Sequence, residues 1–512
     1  TTMRHTSVLL LAVLLGVLAS QVTLATNDNN DNQGQNNNNQ GHNEEVAPRD
    51  VCILGGGIGG MAAAVFLKDR GYNPLVLEKE DILGGSCTTV TFPVANSSLP
   101  NWVDIGVISF ANTTFFTQSG WGGWTVDSVA FFERFVEKLI PVPVPATITV
   151  FDVDYTTGQQ VQPAPINGTE FELRLGAYLE FLAANPWLTT LVSKPDPFPA
   201  DLLVPFDQWL MTNDYTVLIP IFRELIGGGT TNYSAITAFE ALRMATNIIG
   251  ILNIVGSGPA QFSVEGGCIK LYDGMQAYLG AENVLTSVDI ALAVRPSHNV
   301  GGFNLPSTLI GTRKQHGHER PFVQTCEKLV IAFPPLLEEL TFLQLDSQEE
   351  ALFSAVRAYN YYVTTGEVAG PAAAADFVVD NINPNRLFEL AEQPTFVYMF
   401  RGFTYGPAVV GMSSANPISA PQMLDIAQVQ LDRTPDSILN SVPLALPGYK
   451  HLYSPYFLAS EMAKSPTAYT RLDNLQGHRN TYYSSSLLSV ANHVAIINQV
   501  DGFIATHFPT KA

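Results

Sequence analysis

Residues 51–85, VCILGGGIGGMAAAVFLKDRGYNPLVLEKEDILGG, decide the fold. Val51-Cys52-Ile53-Leu54 is an apolar run with the length and composition of a buried parallel strand. It runs directly into Gly55-x-Gly57-x-x-Gly60, with Ile58 and Gly59 inside the motif. MAAAVFLKDRG follows, a run of good helix formers that ends on Gly71. A second apolar run, 74–77, delivers Glu78 and Lys79. Strand, glycine turn, helix, strand and terminal acid make one βαβ unit with the dinucleotide-binding pattern. The glycines provide the tight turn, admit a pyrophosphate to the backbone and let helix pack closely on strand. The acid accepts from ribose hydroxyls.

Glu78 in place of Asp, followed by Gly84-Gly85 and Thr89, resembles the FAD-binding signature of flavin-containing amine oxidases. PNWVDIGV, residues 100–107, resembles the Asp-x-Gly-Val loop of one subgroup of that superfamily. The subgroup includes beta-cyclopiazonate dehydrogenases and polyenoic fatty acid isomerases. GGCIKLYDGMQAYLG, from Gly266, resembles the family's second FAD-domain helix, and ENVLTSVDIALAVRP the element that meets the adenine near Val288. The closing stretch resembles the C-terminal flavin motif: a strand, a turn over 482–487 and a helix from about Asn492. A helix N-terminus there would stabilise negative charge on the flavin's N1–C2=O edge.

The resemblance implies an α/β fold: a Rossmann-type FAD-binding domain with an inserted mixed α+β substrate domain, as in amine-oxidase-like two-domain flavoproteins. It implies FAD contacts at Gly55, Gly57, Ile58, Gly59 and Gly60, at Glu78 and Lys79, and at Gly85 and Ser86. Gly106 and Val107 would approach the ring, Val288 the adenine, and Ser486 and Leu487 the C-terminal side. The FAD domain is expected from 48–125, 256–345 and 444–512, and the substrate domain from 126–255 and 346–443. Two departures stand out. Ser86 occupies the place where the family often has Arg, and Leu340 falls about where amine oxidases put a lysine near the flavin N5. No cysteine follows Cys326, which removes an 8α-thioether at the C-terminal motif and implies non-covalent FAD.

The chain has 512 residues, enough for two packed units. Its formal net charge of −20 argues against nucleic acid or an anionic membrane surface as partner. Met3, Arg4 and His5, the apolar run 8–18 and small residues before Ala19 or Ala25 read as a signal peptide over 1–25. That run is short for a stable membrane span. Residues 26–47 are rich in Asn and Gln and read as a disordered linker. The expectation is a secreted glycoprotein, with Asn-x-Ser/Thr acceptors at Asn96, Asn112, Asn167 and Asn232. Cys52, Cys87, Cys268 and Cys326 allow three disulfide pairings, with Cys52, inside a strand, reading as a buried free thiol. No ligand spacing points to a metal, and the oligomeric state is not legible.

A flavin without metal or nucleophile does hydride chemistry, and the protein places a C–H bond over the ring. The pocket candidates are the aromatic pairs Tyr361-Tyr362 and Tyr482-Tyr483, with Tyr398 and Arg401 in FVYMFRGF. Most such aromatics are core residues, while Arg401 could pair with a substrate carboxylate or a structural acid. The expected activity is hydride abstraction from an apolar organic substrate onto flavin N5. The hydride could return to another carbon, as in a polyunsaturated fatty acid isomerase. The alternatives are an amine oxidase or dehydrogenase producing peroxide, and a secreted flavin- or lipid-binding protein without turnover.

Overall fold

The computed structural model describes residues 48–93, 101–119, 124–142, 149–162, 167–185, 187–190, 194–226, 234–245, 261–296, 305–383, 393–401, 406–414, 416–445, 448–490 and 492–511. The expected signal peptide and linker, and the sequons at Asn96 and Asn232, lie outside them. The first βαβ unit forms as the pattern requires: β1 (Arg49–Leu54), α1 (Ile58–Asp69) and β2 (Pro74–Leu77). α1 stops where Gly71 takes φ +84°, a left-handed conformation that costs glycine little. Nearly every side chain of α1 is buried, because it packs against β1 and β2 as well as α2 (Ile269–Leu279) and α3 (His493–His507). Its apolar residues accordingly run all round the helix.

The nucleotide-type sheet is completed by β3 (Val284–Leu285), β4 (Val288–Val294), β5 (Ser307–Gln315), β6 (His318–Ile331) and β7 (Thr481–Tyr483). Its order is β3-β2-β1-β6-β5-β4, with β7 beside β6. Strands β3, β2, β1, β6 and β7 run parallel, and β6 turns back through β5 and β4 as an antiparallel meander. β1 and β6 are neighbours, with Val51 opposite Lys328. That adjacency overturns the reading of Cys52 as a free thiol. Cys52 is bonded to Cys326 with the Cα atoms 5.7 Å apart, and Cys87 is bonded to Cys268 at 6.2 Å.

A second seven-stranded sheet runs in the order Tyr449–Phe457, Val356–Gly366, Ala408–Ser414, Thr395–Arg401, Phe377–Asn381, Thr149–Asp154, Gln159–Val161. One face is covered by the helix Ala420–Leu431 through Met423, Leu424, Ala427 and Leu431. The other face carries Tyr361, Val363 and Val409 against Ile105. This sheet redraws one expected boundary. Tyr449–Phe457 pairs antiparallel with Val356–Gly366 and belongs here, although residues 444–457 were expected with the nucleotide sheet. The stretch from residue 126, expected in the substrate domain, contributes the strands Thr149–Asp154 and Gln159–Val161 to this sheet. Its main helix is Gly168–Ala184, capped by the Asn167 side chain. No helix among the described residues is long and apolar enough to cross a membrane.

Candidate functional site

The glycine turn, the 84–86 loop and the end of β2 meet at the N-terminus of α1. Gly84 N–H donates to Gly56 O at 3.1 Å, which lays Gly84-Gly85 beside the first loop. A Cβ on Gly57 would meet only the Gly85 Cα at 3.7 Å, so this glycine faces open space. Gly60 serves packing instead, because a Cβ there would run into the Gly55 carbonyl oxygen. Gly59 faces Ile496 and the Ser484 carbonyl, and so joins α1 to the C-terminal segment. Ile58 is buried at the start of α1. Glu78 accepts from Gly56 N–H at 2.6 Å and from Glu80 N–H at 2.8 Å. Each of its carboxylate oxygens retains a further lone pair for a ligand hydroxyl.

A cavity of about 430 Å³ opens beside Glu78, lined also by Gly55, Lys79, Val288, Phe333 and Leu452. Lys79 is exposed at its rim. The Val288 N–H is already given to the Glu78 carbonyl at 2.9 Å. Ser86 and Gly106 lie against one another: Gly106 has φ +82°, and a Cβ on it would strike the Ser86 carbonyl oxygen. Val107 follows, partly buried against the core. Asp104 anchors this loop by accepting from Cys268 N–H at 2.9 Å and Thr89 O–H at 2.7 Å. The Cys87–Cys268 disulfide closes the same corner.

From the other side comes the loop 484–490 between β7 and α3. Arg243, wholly buried, donates to Leu487 O at 3.2 Å and Pro455 O at 2.6 Å while paired with Glu240 at 3.3 Å. Lys194 donates to Leu488 O at 3.1 Å. These two side chains hold the backbone at Leu487 and Leu488, next to the expected cofactor residue Ser486. Sequence reasoning missed both, because a lone Arg in ALRMATN and a lone Lys in VSKPD carry no periodic signal. Asn492 caps α3, accepting from Val494 N–H and Ala495 N–H.

The pocket candidates separate. Tyr361 and Tyr398 stay together, their hydroxyls 2.7 Å apart, on the sheet face toward Ile105. Tyr362 points to the opposite face, where its hydroxyl donates to Ile418 O at 2.8 Å. Arg401 is a backbone clamp, donating to Gly406 O at 2.9 Å and Ala373 O at 2.6 Å. Tyr482 packs on Phe508 and His507 at the far end of α3. Tyr483 donates to Glu349 Oε1 at 2.8 Å inside a buried network. In that network Arg295 binds Glu349 at 2.7 and 2.9 Å, and His478 meets Asp346 at 2.6 Å. Asp346, Glu349 and His478 have the geometry of a cation site. Arg295 already neutralises Glu349, however, and Asp346 caps the helix Ser347–Phe353, so the cluster is an ion-pair network.

Residues 53–118 match the NAD(P)-binding Rossmann-like domain family. Uncharacterized protein R656 of Acanthamoeba polyphaga mimivirus is 30% identical over 473 residues, covering 90% of this chain and 94% of that protein. FAD-dependent oxidoreductase oblC of Cochliobolus heterostrophus is 27% identical over 505 residues, covering 95% of each. The chain belongs to this family of FAD-dependent oxidoreductases. Among solved structures, the CLA-producing fatty acid isomerase from P. acnes superposes with a TM-score of 0.65 at 15% identity, over 90% of this chain and 99% of that one. That likeness confirms the two-domain flavoprotein fold.

The site of this oxidoreductase fits a flavin dinucleotide. Gly57 leaves a cradle that a side chain would fill. Among the described residues, the buried polar atoms Ser484 Oγ, Ser489 Oγ and His451 Nε2 have no hydrogen-bond partner. Buried polar groups are rarely left unsatisfied; the two serines lie on the 484–490 loop, whose Ser484 carbonyl faces Gly59, and His451 lies against Gly106.

Proposed function

We propose that the protein is a secreted flavoenzyme that binds FAD non-covalently and takes hydride from an apolar, unsaturated organic substrate, a polyunsaturated fatty acid being the leading class. Gly57, Gly85 and Ser86 would hold the pyrophosphate at the α1 N-terminus, and Glu78 the ribose. Gly106, Val107, Ser486 and Leu487 would bracket the ring, with the capped start of α3 favouring negative charge on it. Bound FAD supplies a two-electron hydride acceptor. The chain's own residues keep water out and orient the substrate.

The observation that carries this reading is the sheet face opposite Gly106. It is built from Ile105, Val363 and Val409 with the tyrosines 361, 398 and 453. Leu340, near the place of the amine-oxidase lysine, is fully buried in the core. A face of this kind excludes a small cation and accommodates an alkenyl chain. The test is incubation with polyunsaturated fatty acids and, separately, with amines, following conjugated-diene absorbance, oxygen uptake and peroxide together. New conjugation in a fatty acid is the expected outcome; oxygen uptake in step with it marks transfer of the electrons to an external acceptor, and its absence marks internal return of hydride. Rapid peroxide from amines with every fatty acid unchanged would overturn the substrate class.

Secretion is supported by the pairing of all four cysteines, a state favoured in oxidising compartments. Asn167 is exposed at the head of its helix, accessible to a glycosyltransferase. Asn167→Gln is expected to remove one glycan's mass from protein made in a secreting cell, and to cost about 1 kcal/mol through the lost cap. Mass spectrometry of tryptic peptides checks the first effect; an unmodified Asn167 in the parent protein would refute it.

A further inference from the structure

We propose that His451 is the proton acceptor of the reaction chamber, placed there beside the Tyr361–Tyr398 hydroxyl pair. The proposal rests on the flavoenzyme reading and deepens it. A base at this position makes the chemistry a dehydrogenation, loss of hydride and proton together, instead of an internal return of hydride.

His451 lies in the edge strand Tyr449–Phe457 directly opposite Tyr361, so the two side chains share the face that looks toward the Gly106 loop. The sequence context YKHLYSP reads only as a strand. A Cβ built on Gly106 would lie 3.6 Å from His451 Nε2, which sets the imidazole against the loop expected to approach the flavin. Nε2 is shut off from solvent and has no hydrogen-bond partner among the described residues. Leaving such an atom unsatisfied is costly, a cost that a ligand at this point would recover. The two tyrosine hydroxyls, 2.7 Å apart, share one hydrogen bond and keep one O–H for a ligand.

The titratable groups on the elements around His451 are Tyr361, Tyr398 and Tyr453 in its own sheet, Asp104 ahead of Gly106, His493 at the start of α3 and Tyr272 in α2. His493 is engaged with the Tyr272 hydroxyl at 3.1 Å, and Asp104 with Thr89 and the Cys268 amide. No described acid bonds the His451 ring. Burial therefore pushes its pKa down to about 4 and keeps it neutral. The Nδ1–H tautomer then leaves an Nε2 lone pair on the side of the Gly106 loop.

The step balances as follows. A substrate with hydrogens on adjacent carbons gives one as hydride, which reduces the flavin by two electrons. The neighbouring hydrogen leaves as a proton to Nε2, and its C–H electron pair becomes the new carbon–carbon π bond. Negative charge arriving beside the imidazole favours its protonated form and offsets the burial that keeps it neutral beforehand. An external acceptor, dioxygen or a quinone, later takes the two electrons.

Potentiometry on FAD-loaded protein without any substrate tests this. Because reduction is coupled to protonation of His451, the wild-type potential should fall more steeply with pH than that of His451→Gln over roughly pH 5–7. The added dependence is tenfold in the equilibrium constant per pH unit, about 30 mV for a two-electron couple. Equal slopes would overturn the proposal while leaving the flavoenzyme reading intact, whereas a parent protein that takes up no FAD would overturn both. Should His451→Gln lose its flavin, imidazole NMR of the parent decides. Protonation of His451 on reduction supports the assignment, and a ring neutral in both states overturns it.

Discussion

Gly57→Val is expected to give a folded protein that has lost FAD by on the order of 1000-fold in affinity. A Cβ at this position meets nothing nearer than the Gly85 Cα at 3.7 Å, so the polypeptide can accommodate the side chain. What the valine fills is the approach to the α1 N-terminus. There a pyrophosphate would accept charge-assisted hydrogen bonds of about 1.5–3 kcal/mol each. Losing two of them is worth about 4 kcal/mol, the quoted factor. Gly60→Ala provides the contrast. Its Cβ would collide with the Gly55 carbonyl, so that variant should fail in folding before it fails in binding. Circular dichroism with flavin fluorescence separates the two. Full flavin occupancy in folded Gly57→Val would remove the assignment of the cradle.

Arg295→Met should cost about 3–5 kcal/mol at neutral pH, as expected when one partner of a buried ion pair is removed. Arg295 and Glu349 are both fully buried. The arginine also donates to Leu343 O at 3.0 Å and Thr481 Oγ1 at 3.1 Å, tying the end of β4 to β7. Burial works to raise the Glu349 pKa, but the Arg295 hydrogen bonds and charge outweigh it and the net shift is downward. A carboxylate with a depressed folded pKa contributes stability above its unfolded pKa, near 4.3, and loses it as pH falls through the folded value. In Arg295→Met the same carboxylate loses its two close hydrogen bonds to Arg295 and keeps the longer ion pair to Arg479 at 3.6 Å, so its pKa rises and acid relieves the penalty. The stability difference from wild type should therefore shrink between pH 7 and about pH 4. Urea unfolding at the two pH values measures it, and a difference independent of pH would show that Glu349 is not the group left uncompensated.

The nucleotide half was legible because its signals are local. A strand, three glycines, a helix and an acid fall within residues 51–78, and each has a backbone reason to be there. The second half depended on contacts far apart in sequence. Tyr361 and Tyr362 looked like one aromatic pair, but strand alternation sends them to opposite faces and into different cores. Arg401 suggested a carboxylate partner, and the fold gives its guanidinium main-chain carbonyls at Gly406 and Ala373 that the sequence did not announce. Cys52 could be matched to Cys326 only once β1 and β6 were known to be neighbours. His451 gave no signal at all, since its meaning comes from Gly106 across the domain boundary.

Acid denaturation of the purified protein, followed by identification and counting of the released chromophore, is the most direct measurement. One FAD per chain, freed without proteolysis, is the expected result. A colourless protein that takes up no FAD on incubation would contradict the flavoenzyme reading, and flavin that stays on the polypeptide would contradict non-covalent binding.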